Sequence, residues 1–386
     1  MECWRRGLGT GLAVLALTSG VASATDSRPS SDRIGQLVRE LGSGSFAERE
    51  RATRELTDLG IATREALAAA ADSADAEVRV RARAILAIVS DSDFRNRLEA
   101  FASDYDGRQQ QTLPGWEQFS ARFGPSRVVR ELFVEMQRAE PELLEAAAKG
   151  NKPASDMLEL RCHALGQQLM ANPNREGLIS LGTVASLLFI GSTDGVDVDE
   201  QTAMQLYGWI YQPVFQRNTR GGTWSSLLKK LLGTWIVKDG GTAATFQNLM
   251  LAASFDLKSE GLAVAAKALA NEAGPSPVRQ YAILSIGRFG GKEQLPMIEK
   301  CLQDTTNCNV LQANNPPRQV EIQIRDVALA VLVHLTGQHL RDYGYQQAQP
   351  NPQTLFQVGT LGFNDPARRE AALKKWSQWR AEHPDP

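Results

Sequence analysis

Apolar and polar residues along this chain recur at helical spacing, and one pattern is written several times. An aliphatic residue is followed by Arg, two free positions, Ala, three free positions and a large apolar residue. The clearest copies are Val78-Arg79-Val80-Arg81-Ala82 with Leu86, Val278-Arg279-Gln280-Tyr281-Ala282 with Ile286, and Ile324-Arg325-Asp326-Val327-Ala328 with Leu332. Positions i, i+4 and i+8 share one face of a helix, so each copy predicts an apolar stripe with a small residue at its centre. The central Ala lets a neighbouring helix approach closely. The Arg lies off the stripe, where it can meet acids or carbonyls at the ends of adjacent helices.

A further copy keeps Arg49, Ala52 and Leu56 with Glu48 in the aliphatic position, and Leu59-Gly60 closes its helix. Asp75 supplies an N-cap ahead of Val78. Arg49 and Arg79 stand thirty residues apart, the length of one helix pair. Asp365-Pro366-Ala367-Arg368-Arg369 with Ala372 and Trp376 repeats the offsets near the end of the chain. Between residues 91 and 271 the pattern degenerates, although helical periodicity continues. Leu160-Arg161-Cys162-His163-Ala164 echoes it there, with Gln168 in place of the second aliphatic. The region 304–318 is rich in Asn, Pro and Thr, and predicts a long loop, a common place for ligand contact.

Ser45-Phe46, Arg49, Ala52-Thr53, Leu56 and Leu59-Gly60, then Asp75, Val78-Arg79 and Ala82, resemble HEAT-type repeats. The likeness is to the short form associated with phycobilisome-lyase-like proteins, over roughly residues 34–90 and 259–380. It implies right-handed stacks of antiparallel helices that bind other proteins. The fold expected is therefore all-α, an α-solenoid of antiparallel helix pairs with a divergent helical middle segment.

The N-terminus adds a targeting expectation. Arg5 and Arg6 precede an apolar run over residues 8–21, and Ala22-Ser23-Ala24 fits a cleavage site, so residues 1–24 read as an export signal. The expected order is that signal, a flexible tail at 25–33, N-terminal repeats at 34–100, a divergent helical region at 101–258, and C-terminal repeats with a cap at 259–386. The chain is expected to be periplasmic or extracellular, with no membrane span after cleavage. A formal charge of −2 with 22% charged residues offers no basic excess for nucleic acid.

Candidate chemistry is sparse. An exported location permits a disulfide between Cys301 and Cys308. Cys162 reads as a small buried hydrophobe. His334 and His339 have the wrong spacing for a helical metal pair. The acids of residues 194–200 read as N-caps, Asp197 or Asp199, for the helix near Thr202. No catalytic, cofactor or metal residues are expected. Tyr207, Trp209, Tyr211, Trp224 and Trp235, interleaved with Arg217 and Arg220, form the densest aromatic and cationic stretch. It reads either as core, with Tyr207, Tyr211 and Phe215 on one stripe, or as a ligand-facing patch. The function expected is a protein-protein interaction scaffold for an unidentified partner. The alternatives are a lyase-like accessory enzyme using the central segment and a carbohydrate-binding envelope protein using the aromatic stretch.

Overall fold

A computed structural model describes residues 31–172, 179–238, 241–314 and 317–384. The export signal and residues 25–30 of the tail lie outside the described residues. The protein is predominantly helical, with eighteen α-helices and two short hairpins among the described residues. Contacts divide it into two compact units, one ending at Arg97 and the other beginning at Leu98. The segments 101–258 and 259–386 thus share one unit.

The first unit contains α1 (Ser31–Glu40), α2 (Phe46–Asp58), α3 (Arg64–Ala70) and most of α4 (Ala76–Ser103). Helix α1 takes in the last three residues of the expected tail. Its amphipathic sequence buries Ile34 and Leu37, and that burial orders the segment. Leu37, Leu41, Ala52, Leu56, Leu67 and Ala82 are fully buried in one core. Each large aliphatic so buried stabilises the unit by about 1.5–3 kcal/mol. The repeated Arg has the same task in both copies here. Arg49 donates from Nη1 to the Ser43 carbonyl at 2.6 Å, and Arg79 donates from Nη1 to the Ser73 carbonyl at 2.6 Å. Each cation thereby satisfies an oxygen in the turn before its own helix. Asp75 caps α4, accepting from the Glu77 N–H at 2.8 Å.

The second unit begins in the last turns of α4 and continues with α5 (Trp116–Phe123), α6 (Arg127–Ala139), α7 (Pro141–Lys149) and α8 (Asn151–Ala171). Next come α9 (Leu181–Gly191), α10 (Glu200–Ile210), α11 (Pro213–Arg220) and α12 (Ser225–Val237). Helix α9 is apolar all round and wholly buried, as such a sequence requires. It packs on α6, α7, α8, α10 and α12. At Gly182 an added Cβ would overlap the Glu135 carbonyl of α6, so the contact between these backbones depends on glycine. Phe119 joins the two sides, with ring centroids 5.2 Å from Phe133 and 5.0 Å from Phe189.

The unit ends with α13 (Gly241–Phe255), α14 (Lys258–Ala270), α15 (Ser276–Phe289), α16 (Leu295–Glu299), the antiparallel strands β1 (Asn307–Asn314) and β2 (Pro317–Gln323), and α17 (Ile324–Leu335). The short strands β3 (Pro350–Asn351) and β4 (Leu355–Phe356) and helix α18 (Pro366–Glu382) follow. Ala282 and Ala328 are fully buried, on α15 and α17, which pack together. The repeat signature therefore marks buried helix seams in both units.

Three expectations are corrected. The long loop at 304–318 is largely the β1–β2 hairpin, whose strands pair from Asn307 with Gln323 to Asn314 with Pro317. Tyr207, Tyr211 and Phe215 do not lie on one helix, because α10 ends at Ile210 and Pro213 starts α11. The echo around Arg161 has a different register: Leu160 is exposed, whereas Leu158, Cys162 and Leu165 form the buried stripe. Arg161 there makes a bidentate pair with buried Glu140, at 2.6 and 3.0 Å.

On α17 and α18 sits a buried ion pair. Arg369 donates to both Asp326 oxygens, at 2.7 and 3.0 Å, and to the Glu321 carbonyl at 3.0 Å. Tyr345 donates its hydroxyl to the Asp326 carbonyl at 2.6 Å.

Candidate functional site

The stretch singled out for its aromatic residues is mostly core. Tyr207, Trp209 and Trp235 are buried, and the Tyr207 hydroxyl donates to Asn248 Oδ1 at 2.7 Å. Burial raises the Tyr207 pKa above its ordinary value. Rings enclosed in this way fit the core reading of the stretch and leave its alternative, a ligand-facing patch, without them. They are enclosed because α10 and α12 both pack on the buried α9. Tyr211 remains exposed and lines a cleft of about 350 Å³ with Arg220 and Arg288. Arg217 is exposed and lies outside that lining. Trp224 joins a different cleft, built chiefly on α6.

That second cleft, of about 480 Å³, has the richer chemistry. Helix α6 presents Arg127, Arg130, Val134 and Arg138 to it, at i, i+3, i+7 and i+11, which keeps them on one face. Tyr105, in the loop after α4, and Trp224, ahead of α12, add aromatic walls. Tyr105 is 60% exposed, with the Arg127 guanidinium 5.9 Å from its ring centre. Arg127 pairs with Glu131 at 2.8 Å and Arg138 with Glu135 at 2.7 Å, and all four charged groups are open to solvent. Such exposed pairs exchange partners at little cost.

Arg130 differs from its neighbours because it is buried. Its Nη1 donates to the Phe101 carbonyl at 3.2 Å, and its guanidinium lies 4.1 Å from the Phe101 ring centre and 4.8 Å from that of Trp116. Burial lowers its pKa, with Asp104 and Asp106 opposing that effect. Asp104 is committed elsewhere: its two oxygens accept from the Gln109 and Gln111 N–H groups, both at 2.9 Å. Burial pushes the Asp104 carboxyl upward, but those N–H groups, the Arg130 charge and the Arg108 N–H together outweigh it and hold the pKa below its ordinary value. They also fix the loop that carries Tyr105.

Sequence reasoning missed Tyr105, Arg127, Arg130 and Arg138. The available signal was the arginine stripe on one face of α6. Glutamates four residues after Arg127 and three before Arg138 gave that stripe the appearance of an ordinary solvated surface.

The three cysteines of the described residues are separate thiols, so the Cys301–Cys308 bridge that an exported location would permit is not formed. The Cys308 sulfur lies in the β1 bulge and donates to the Ile322 carbonyl at 3.3 Å, while Cys301 lines a groove beside Arg279. Arg279 is ion-paired with Asp304. Burial pushes the thiol pKa up to about 11 at Cys301 and about 12 at Cys308 and Cys162, which keeps all three protonated at neutral pH. Asp199 caps α10, accepting from the Thr202 N–H at 2.7 Å. Arg325 donates to Gln323 Oε1 at 2.7 Å and reaches Glu370 at 3.2 Å. Val78 is half-buried and Val278 buried, each on the seam side of its helix. Among the described residues there is no cluster of three or more His, Cys, Asp or Glu suited to a metal, and no helix is long and apolar enough to cross a membrane.

No protein-family model, curated protein or solved structure matches the chain. The fold and the cleft define a helical protein with an open arginine and aromatic surface.

Proposed function

We propose that this chain is an exported HEAT-type repeat protein, an α-solenoid of antiparallel helix pairs that acts as a protein-protein interaction scaffold without catalysis of its own. The equal roles of Arg49 and Arg79, each bonded to a carbonyl six residues earlier, support the repeat reading. The binding role is carried by one observation: Tyr105, Arg127 and Arg138 stand together around an open cleft whose further wall is Trp224. Tyr, Trp and Arg are the residues that dominate binding energy at protein interfaces. Exposed Glu131 and Glu135 leave the rim arginines free to change partners at little cost.

The test is affinity capture from an envelope extract with the parent chain and with a Tyr105→Ala/Arg127→Ala/Arg138→Ala variant of unchanged helical content. A protein retained by the parent and lost from the variant supports the scaffold. Equal recovery by both refutes this surface as the binding face.

A further inference from the structure

Resting on the reading of the α6 cleft as the partner-binding face, we infer that it recognises a free carboxylate joined to an apolar group, the chemistry of a peptide C-terminus ending in an apolar residue. Arg130 supplies the reason. It is 4% exposed and lines the cleft, yet among the described residues its Nε has no hydrogen-bond partner and no carboxylate oxygen bonds to it. The nearby Asp104 is held by the backbone of its own loop. On the same cleft the Trp224 Nε1 is a second buried donor without a partner. An unmet buried donor is costly, more so when charged, so an acceptor that reaches either one as the ligand seats is favoured.

The rest of the lining selects among anions. Glu131 and Glu135 are paired with Arg127 and Arg138, which leaves Arg130 as the lining arginine with no carboxylate bonded to it. That matches a singly charged planar anion and opposes a doubly charged phosphate. Ala102, Val134 and the two aromatic rings provide an apolar flank for the terminal side chain. The volume of about 480 Å³ lies within the range of small-ligand pockets.

The experiment is calorimetric titration of the full chain with a randomised hexapeptide pool ending in Phe, as the free acid and as the C-terminal amide. N-acetylphenylalanine and inorganic phosphate serve as competitors. The expected result is at least tenfold tighter binding of the acid than of the amide, with displacement by N-acetylphenylalanine and not by phosphate. Trp224→Phe should weaken the acid several-fold, and Arg130→Met should abolish the preference for acid over amide. If Arg130→Met fails to fold, the acid and amide comparison on the unaltered chain decides alone. Equal binding of acid and amide, or stronger displacement by phosphate, overturns the inference. Should the captured partner still depend on Tyr105, Arg127 and Arg138 in that case, the scaffold reading stands without it.

Discussion

Replacing Arg369 with Met keeps most of the side-chain volume and removes only the cation from the α17–α18 contact. The Asp326 side chain is 1% exposed and that of Arg369 10%, so water reaches neither end of the pair freely. The parent carboxylate takes two bonds from the guanidinium and one from the Gln323 N–H at 3.0 Å. In Arg369→Met only the last remains, and the Glu321 carbonyl also loses its donor. Breaking a buried pair from one side costs about 3–5 kcal/mol, a loss of roughly two to four powers of ten in the folding equilibrium. The double variant Asp326→Asn/Arg369→Met removes both charges and keeps an oxygen for Gln323, so it should cost only about 1–2 kcal/mol. Urea titrations followed by far-ultraviolet circular dichroism and tryptophan emission measure the difference, since Trp376 is buried on the same helix as Arg369. The pH dependence supplies a second reading. Burial pushes the Asp326 pKa above its ordinary value even with Arg369 opposing it. Without the guanidinium the upward push is stronger, so the folded variant holds a proton that the unfolded chain releases above about pH 4. Its stability should therefore fall as pH rises from about 4 towards neutrality, more steeply than the parent's. A loss below about 1 kcal/mol for the single variant, or an equal loss for the double variant, would refute this account of the pair.

Gly182→Ala should destabilise the second unit by about 3 kcal/mol or more, because the new methyl overlaps backbone and not a movable side chain; thermal melting checks it. Arg49→Ala and Arg79→Ala should each cost the first unit about 1–2 kcal/mol, and a difference between them above about 1 kcal/mol in matched urea titrations would end their equivalence. At pH 8 only about one in a thousand Cys301 thiols is ionised, so native alkylation by iodoacetamide should be far slower than in urea, by intact mass. Asp199→Ala should cost about 1 kcal/mol through loss of the α10 cap, again by melting.

Much of the helical layout was legible because its start and stop signals are local. Asp75, Pro141 and Asp199 mark helix starts in the sequence and do so in the fold. Ala82, Ala282 and Ala328 are the small residues at the centres of their apolar stripes, and all are fully buried. What escaped depended on competing patterns. Tyr207, Tyr211 and Phe215 happen to keep helical spacing across a break set by Pro213. The hairpin was hidden by its Asn and Pro content, although Gln319, Val320, Glu321, Ile322 and Gln323 alternate polar and apolar residues as a strand does. The α6 cleft was less accessible still. Its residues come from a loop, a helix and the start of another helix far along the chain, and the burial of Arg130 arises only when Phe101 and Trp116 close around it.

The tight crossing at Gly182 bears directly on the cleft, because the carbonyl it touches belongs to Glu135, one of the cleft-lining residues. A helix pressed backbone to backbone has little room to slide or roll, so a guest meets a firm wall whose shape is set beforehand. Capture should then proceed in a single kinetic step, faster at low ionic strength and slower as added salt shields the rim guanidiniums.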